Sequence, residues 1–259
     1  MPKRQTGDFC WVELCTTDSA KAFDFYHPIF NWGKITHDNG DFGEYHMLTL
    51  NEQEIAGAFQ LTDDMKKQGA VPCWNAYVKV DDVDATANKA KSLGGKILNG
   101  PFDVMEYGRM AVLEDPTGAV VCLWHTDKNS ETPEKTQPGN YGWIELLTTD
   151  TQKAETFYKT LFDWTAETAQ FGDHDYTSFS INGEPIAGMM KIKSEWGHVP
   201  PNWNVYFTVN NLDESLEIAK KNGAELCCDV MEIPEVGRFT TLKDPQGVYV
   251  SMIQYPKSE

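Results

Sequence analysis

Positive charge is scarce in this chain. Lys and Arg total 22 against 39 Asp and Glu, a formal net charge of -17 with a pI near 4.7. Such a surface repels polyanions, so neither nucleic acid nor an anionic membrane is expected as a partner. Long apolar runs are missing as well. No window reaches the roughly 20 apolar residues of a membrane span, and the opening MPKRQTGDF has charges with no apolar stretch behind them. The expectation is a soluble, cytoplasmic protein. The six cysteines, Cys10, Cys15, Cys73, Cys122, Cys227 and Cys228, contain no CxxC pair, and their spacing in one half is not repeated in the other. That pattern argues against a zinc or disulfide framework and for reduced thiols. What is present, 41% hydrophobic and 12% aromatic residues in 259, suffices to bury one or two cores and excludes a disordered or fibrous chain.

The chain is a duplication. FCWVELCTTDSAKAFDFYHPIFNW, from Phe9 to Trp32, aligns without a gap to YGWIELLTTDTQKAETFYKTLFDW, from Tyr141 to Trp164, with 12 identities in 24 positions at an offset of 132. IAG at Ile55–Gly57 recurs at Ile186–Gly188, PCWNAYVKVDD from Pro72 recurs as PNWNVYFTVNN from Pro201, GR at Gly108 recurs at Gly237, and DPTG from Asp115 recurs as DPQG from Asp244. The offset drifts only from 132 to 129. Between the halves, TDKNSETPEKTQPGN is polar and carries two prolines, which suits an exposed linker.

Within each half the hydrophobic period alternates. From Cys10 to Thr16, Trp11, Glu13 and Cys15 fall on one side and Val12 and Leu14 on the other, the pattern of a half-buried strand. Asp18 then caps a helix whose apolar stripe is Ala22, Phe25, Tyr26, Ile29 and Phe30. Strand-like runs follow around Ile35, Tyr45–Leu50 and Ile55–Leu61. The programme restarts with a strand Trp74–Val80, a helix to Leu93 stopped by Gly94 and Gly95, and strands near Lys96–Leu98, Arg109–Leu113 and Val120–Trp124. Each half therefore reads as two βαβββ units, four in the chain, an α+β class.

TTDSAKAFDFY with TTDTQKAETFY, VDDVDA with VNNLDE, and GRMAVLEDPTGAVVCLW with GRFTTLKDPQGVYVSMI resemble the vicinal oxygen chelate superfamily: glyoxalase I, bleomycin resistance proteins and extradiol dioxygenases. The chain looks most like the two-domain glyoxalase-like proteins of bacteria. The resemblance implies tandem glyoxalase-like domains over residues 5–125 and 139–257, joined by a linker at 126–138, each with a half-open barrel sheet. In the family the concave face holds a divalent metal on His or Gln, His, and Glu. The motif alignment puts those positions on Trp11 and Trp143, Asn75 and Asn204, and Cys122 and Ser251. An indole nitrogen can only donate, and a firm site needs about three converging His or carboxylate ligands. No metal ligand is therefore assigned, and a divalent cofactor is not favoured. The six histidines do not pair between the halves.

Strand parity places further side chains together. Val12 and Leu14 must face a helix, which turns Trp11 and Glu13 the other way. Trp74, Ala76, Val78 and Val80 form the packing face of the restarting strand and leave Asn75 and Tyr77 opposite. The second half repeats this as Trp143 and Glu145, then Asn204 and Tyr206, with Cys122 and Ser251 after the DPxG turns. Trp11 and Trp143 fit either packing or ligand contact. A strand-centre glutamate facing apolar surface is costly unless paired or protonated. Glu13 and Glu145 therefore read as functional, with a hydrogen bond to a neighbouring Tyr or Asn, or a salt bridge to Arg109 or Arg238, as the structural alternative. Those arginines could equally hold an anionic group of a ligand. Asp115 and Asp244, each before a proline, read as turn residues.

Two functions remain open. One is a metal-free binding protein that holds an apolar or aromatic small molecule against Trp11, Asn75, Arg109 and Cys122, or Trp143, Asn204, Arg238 and Ser251. The other is a glyoxalase-like lyase, isomerase or dioxygenase-type enzyme acting on a small carbonyl compound. There Glu13 or Glu145 would be the general base and Tyr77 or Tyr206 would donate to the oxyanion. The missing ligand set favours the first. The expected partner is a small molecule only, and the expected state a monomer or homodimer.

Overall fold

The computed structural model describes residues 4–40, 43–127, 134–171 and 174–256. Positions 128–133 of the expected linker and the end of the expected second domain, from 257, lie outside the described residues. The element order is β1 (Phe9–Thr16), α1 (Ser19–Phe30), β2 (Gly33–Asp38), β3 (Glu44–Leu50), β4 (Gln53–Gln60), α2 (Asp63–Lys67), β5 (Cys73–Lys79), α3 (Val83–Ser92), β6 (Lys96–Val104), β7 (Gly108–Glu114) and β8 (Val120–His125). It continues with β9 (Tyr141–Thr148), α4 (Thr151–Phe162), β10 (Thr165–Phe171), β11 (His174–Ile181), β12 (Glu184–Lys191), β13 (Asn202–Thr208), α5 (Leu212–Lys221), β14 (Glu225–Leu226), β15 (Met231–Ile233), β16 (Gly237–Lys243) and β17 (Tyr249–Gln254). This is the α+β repetition of βαβββ units that the hydrophobic periods predict. Two departures are local. The five-residue α2 is too short to show a periodic stripe, and the strand after α5 breaks into β14 and β15.

Among the described residues the strands form two sheets, ordered β2-β3-β4-β1-β5-β8-β7-β6 and β10-β11-β12-β9-β13-β17-β16-β14, with β15 on β16. Neither sheet closes on itself. Inside every unit the first strand runs parallel to the last, as in β1 with β4 and β13 with β17, and the helix makes the crossover between them.

The helices begin where the sequence supplies an oxygen. Asp18 accepts from the Lys21 amide at α1, Asp82 from Ala85 at α3 and Asp150 from Lys153 at α4. Asn211 accepts from Asp213 and Glu214 at α5. Helices α1 and α4 stop on Asn31 and Asp163, both in the left-handed region at φ 57° and 60°.

Packing divides the chain into two compact units, Met1–Cys10, Asn75–Thr132 and Trp143–Asn204 in the first, Trp11–Trp74, Pro133–Gly142 and Val205–Glu259 in the second. Each carries the same buried device. In the second, the Tyr26 hydroxyl of α1 donates to Asp244 Oδ2 at 2.9 Å and accepts from the Trp74 indole at 3.2 Å. In the first, the Tyr158 hydroxyl of α4 donates to Asp115 Oδ2 and accepts from the Trp203 indole, both at 2.9 Å. Asp115 and Asp244 are turn residues as expected, since Asp115 Oδ1 caps the amides of Thr117, Gly118 and Ala119, and Asp244 Oδ1 those of Gln246 and Val248. Their second oxygens satisfy tyrosine hydroxyls that burial would otherwise leave unpaired.

Candidate functional site

The side chains around Glu13 follow from one crossing of strands. Glu13 on β1 is the parallel register partner of Gly57 on β4, and β3 lies antiparallel to β4 with Tyr45 opposite Phe59. From there the Tyr45 phenol passes over Gly57 and donates to Glu13 Oε1 at 2.7 Å. The Trp11 indole hydrogen-bonds the same phenol. A Cβ on Gly57 would collide with the phenol oxygen and stand 3.2 Å from Trp11 Nε1. This is the physical reason for glycine in the repeated IAG. The same build recurs around Glu145, whose register partner is Gly188. Trp143 Nε1 donates to the Tyr176 hydroxyl at 2.9 Å, and a Cβ on Gly188 would strike that hydroxyl and lie 3.0 Å from Trp143 Nε1.

Glu13 and Glu145 are buried, while Trp11 and Trp143 stay half-buried. Burial first, and then the charge of Glu13, hold the Tyr45 hydroxyl well above its ordinary pKa, so it remains a donor. Two thiols share that surrounding. Burial and then Glu13 push Cys73 up to about 12, and burial, then Cys73 and Glu13, raise Cys15 further. Both stay neutral thiols near pH 7.

Of the alternatives open for Glu13, a hydrogen bond to a tyrosine is present, and the arginines do other work. Arg109 Nε and Nη2 bind Asp84 at 2.5 and 3.0 Å and Nη1 binds Asp103 at 2.8 Å; Arg238 binds Asp213 at 2.7 and 2.9 Å. Asp84 and Asp213 sit in the first turns of α3 and α5, where a carboxylate is favoured, and the arginines hold both below their ordinary pKa. The salt bridge to the strand glutamates, one of two roles left open for these arginines, is thus replaced by ion pairs with Asp84, Asp103 and Asp213.

The remaining expected residues lie as follows. Tyr77 and Cys122 are register partners on β5 and β8, Tyr77 packs edge-on against Trp124, and Asn75 is two residues earlier on β5. Tyr206 and Ser251 are register partners on β13 and β17, Tyr206 packs edge-on against Phe239, and the Ser251 hydroxyl meets Thr241 at 2.7 Å. Asn204 is buried on β13. Tyr45 and Tyr176, the phenols nearest the paired Trp and Glu positions, are absent from the sequence-derived set. Their signal was available, because they recur at an offset of 131, within the drift of the duplication.

The three positions that the family resemblance assigns to a divalent ion carry Trp11 or Trp143, Asn75 or Asn204, and Cys122 or Ser251. Among the described residues no group of three or more His, Cys, Asp and Glu stands close enough to hold a metal. Nor is any helix among them long and apolar enough to cross a membrane.

Paired βαβββ units in open sheets, twice in one chain, define the class, and the sequence profile agrees. The chain belongs to the Glyoxalase/Bleomycin resistance protein/Dioxygenase superfamily, matched over residues 9–123 and 140–252. It is 34% identical to CFP32 of Mycobacterium tuberculosis (strain CDC 1551 / Oshkosh), provisionally named a glyoxylase, over 98% of both chains. It is 28% identical to the anthracycline biosynthesis protein DauV of Streptomyces sp. (strain C5), over 98% of this chain and 95% of that one. The Mn(II)-bound glyoxalase of Novosphingobium aromaticivorans has the same fold, with a TM-score of 0.65 at 12% identity, covering 96% of this chain and 82% of the other.

Proposed function

We propose that this chain is a small-molecule-binding protein that holds a flat, apolar or aromatic ligand against the sheet faces carrying Trp11 and Trp143, without the family's metal-ligand set. The arrangement of Trp11, Tyr45 and Glu13 carries the reading. An indole whose N–H is engaged by a phenol presents a ring of fixed orientation, and a half-buried ring has a face to offer. Tyr45 donates to Glu13 Oε1 and so fixes the carboxylate in the same hydrogen-bonded set as the indole. The relative named for anthracycline biosynthesis supports a fused-ring ligand class.

A second reading has one specific support. A buried glutamate held as an acceptor by a phenol at 2.7 Å is also how a general base is positioned, and the name glyoxylase on CFP32 fits an enzyme acting on a small dicarbonyl. Titration with 1,4-dihydroxyanthraquinone separates the two. Saturable quenching of tryptophan emission, reduced in Trp11→Phe and in Trp143→Phe, is the result expected of a binder. Absence of saturable quenching, together with turnover of methylglyoxal and a thiol that Glu13→Gln abolishes, would replace it with the enzyme.

A further inference from the structure

A cleft of about 460 Å³ opens in the second compact unit, away from Glu13, between the end of α1, the β3–β4 turn, residues 137–139 and the start of α5. Its volume lies in the range of small-molecule sites. Ile29, Phe30, Leu50 and Ile218 supply apolar surface. Five carboxamides, Asn31, Asn51, Gln137, Asn210 and Asn211, line it together with the hydroxyl residues Thr208 and Ser215, and Glu214 is the one ionisable residue in the lining.

The duplication shows how this cleft diverged. Ile218, Pro138 and Asn210 correspond to Lys89, Thr6 and Asp81 of the first unit. There the Lys89 ammonium donates to the Leu161 carbonyl at 3.1 Å, the Thr6 hydroxyl donates to Asp81, and Asn182 donates to Gln5 at 3.0 Å, so side chains bridge the place from several directions. In the second unit Ile218 cannot reach a carbonyl and Pro138 has no hydroxyl. Gln137, the counterpart of Gln5, accepts from Asn140 instead. Asp81 and Asp82 have become Asn210 and Asn211. Two bridges and three charges are gone, one carboxylate, Glu214 in place of Ala85, is gained, and the rest of the lining is uncharged and amide-rich.

We propose that this cleft binds a neutral, hydroxyl-rich ring compound of about disaccharide size. A carboxamide both donates and accepts, as a hydroxyl does, so a set of them matches a polyol better than it matches an ion. An anion would meet no cationic side chain in the lining and a chain of net charge -17. The apolar residues match the C–H faces of a saturated ring. This site shares no residue with the Trp11 and Trp143 faces, so either proposal can fail alone.

The test is titration of the full-length protein with cellobiose, maltose and trehalose, followed by amide resonances. At least one sugar should give saturable shifts centred on the side-chain amides of Asn31, Asn51 and Asn210, at roughly millimolar affinity. Ile218→Lys copies the first unit's bridge and should weaken binding about tenfold or more without lowering the melting temperature. Asn210→Ala, an exposed position, serves if that variant does not fold, and should weaken binding at least about threefold. No saturable shift with any of the three sugars, or unchanged affinity in the variant that folds, overturns the proposal.

Discussion

The two compact units answer the same packing problem with different rings. In the second, Phe207 of β13 is fully buried with centroids 4.8 to 5.2 Å from Phe30, Trp32 and Trp74. In the first, the position equivalent to Phe207 is Val78, and Phe9 of β1 packs at 5.7 and 5.1 Å from Trp164 and Trp203. Ring identity drifted while the Tyr–Asp–Trp hydrogen bonds stayed. An apolar volume can be filled from several directions, whereas a buried hydroxyl needs its acceptor at one place. Polar geometry and steric necessity, as at Gly57 and Gly188, are therefore what a duplicated fold retains.

That contrast breaks first at the rings. Phe207→Ala should cost about 3–5 kcal/mol, since a fully enclosed ring leaves a cavity that its aromatic neighbours cannot fill. Phe9→Ala, at the start of β1 with 7% exposure, should cost less. Equal losses in denaturant unfolding would mean that the two units share one cavity response and that the comparison of their rings carries no energetic content. Next come the hydroxyls. Tyr26→Phe and Tyr158→Phe each remove a donor from a buried carboxyl and an acceptor from a buried indole, so each should cost about 1–3 kcal/mol, and nearly the same in both units. A loss in one alone would show that only one network is satisfied internally.

How much of this the sequence reveals depends on the range of the determinant. The caps at Asp18 and Asp150 and the strand parity that turns Glu13 away from Val12 are local, and they read directly. Tyr45 is different. Its partnership with Glu13 needs β3 beside β4, β4 beside β1 and a glycine between, three facts set by sheet register. The partners of Arg109 are hidden for a related reason. Its strand position is evident, but the acceptors Asp84 and Asp103 come from the helix before it and the neighbouring strand. The second role of Asp115 and Asp244 needs an element from the other half of the chain, which periodicity cannot see.

A smaller effect separates the buried carboxyl of the second unit by pH. Burial, the leading cause, raises Asp244 above the ordinary carboxylate range against the lowering by its hydrogen bonds. The folded protein then holds a proton that the unfolded chain has released. Its contribution is complete below the unfolded value of about 3.9 and is lost as pH rises through the higher folded value. Asp244→Asn cannot titrate, so the stability difference between wild type and variant should move in the variant's favour as pH rises from 4 to 7. A difference that stays flat across that window in equilibrium unfolding would mean that the carboxyl titrates alike in both states.

The smallest expected change is the most informative about function. Glu13→Gln keeps an oxygen for the Tyr45 hydroxyl at the same place, and it trades a charge-assisted hydrogen bond for a neutral one while removing a buried charge. These terms oppose each other, so the net loss should be about 1 kcal/mol or less. Had the glutamate been half of a buried ion pair, the same substitution would strand its partner and cost about 3–5 kcal/mol. Glu145→Gln is the parallel measurement in the first unit, where the sequence has Leu147 and Asn202 at the positions of Cys15 and Cys73. Matching small losses in thermal unfolding, with weaker quenching by the anthraquinone probe, identify both carboxylates as serving a ligand. A large loss in either variant returns that glutamate to the scaffold and leaves the ligand reading to the other unit alone.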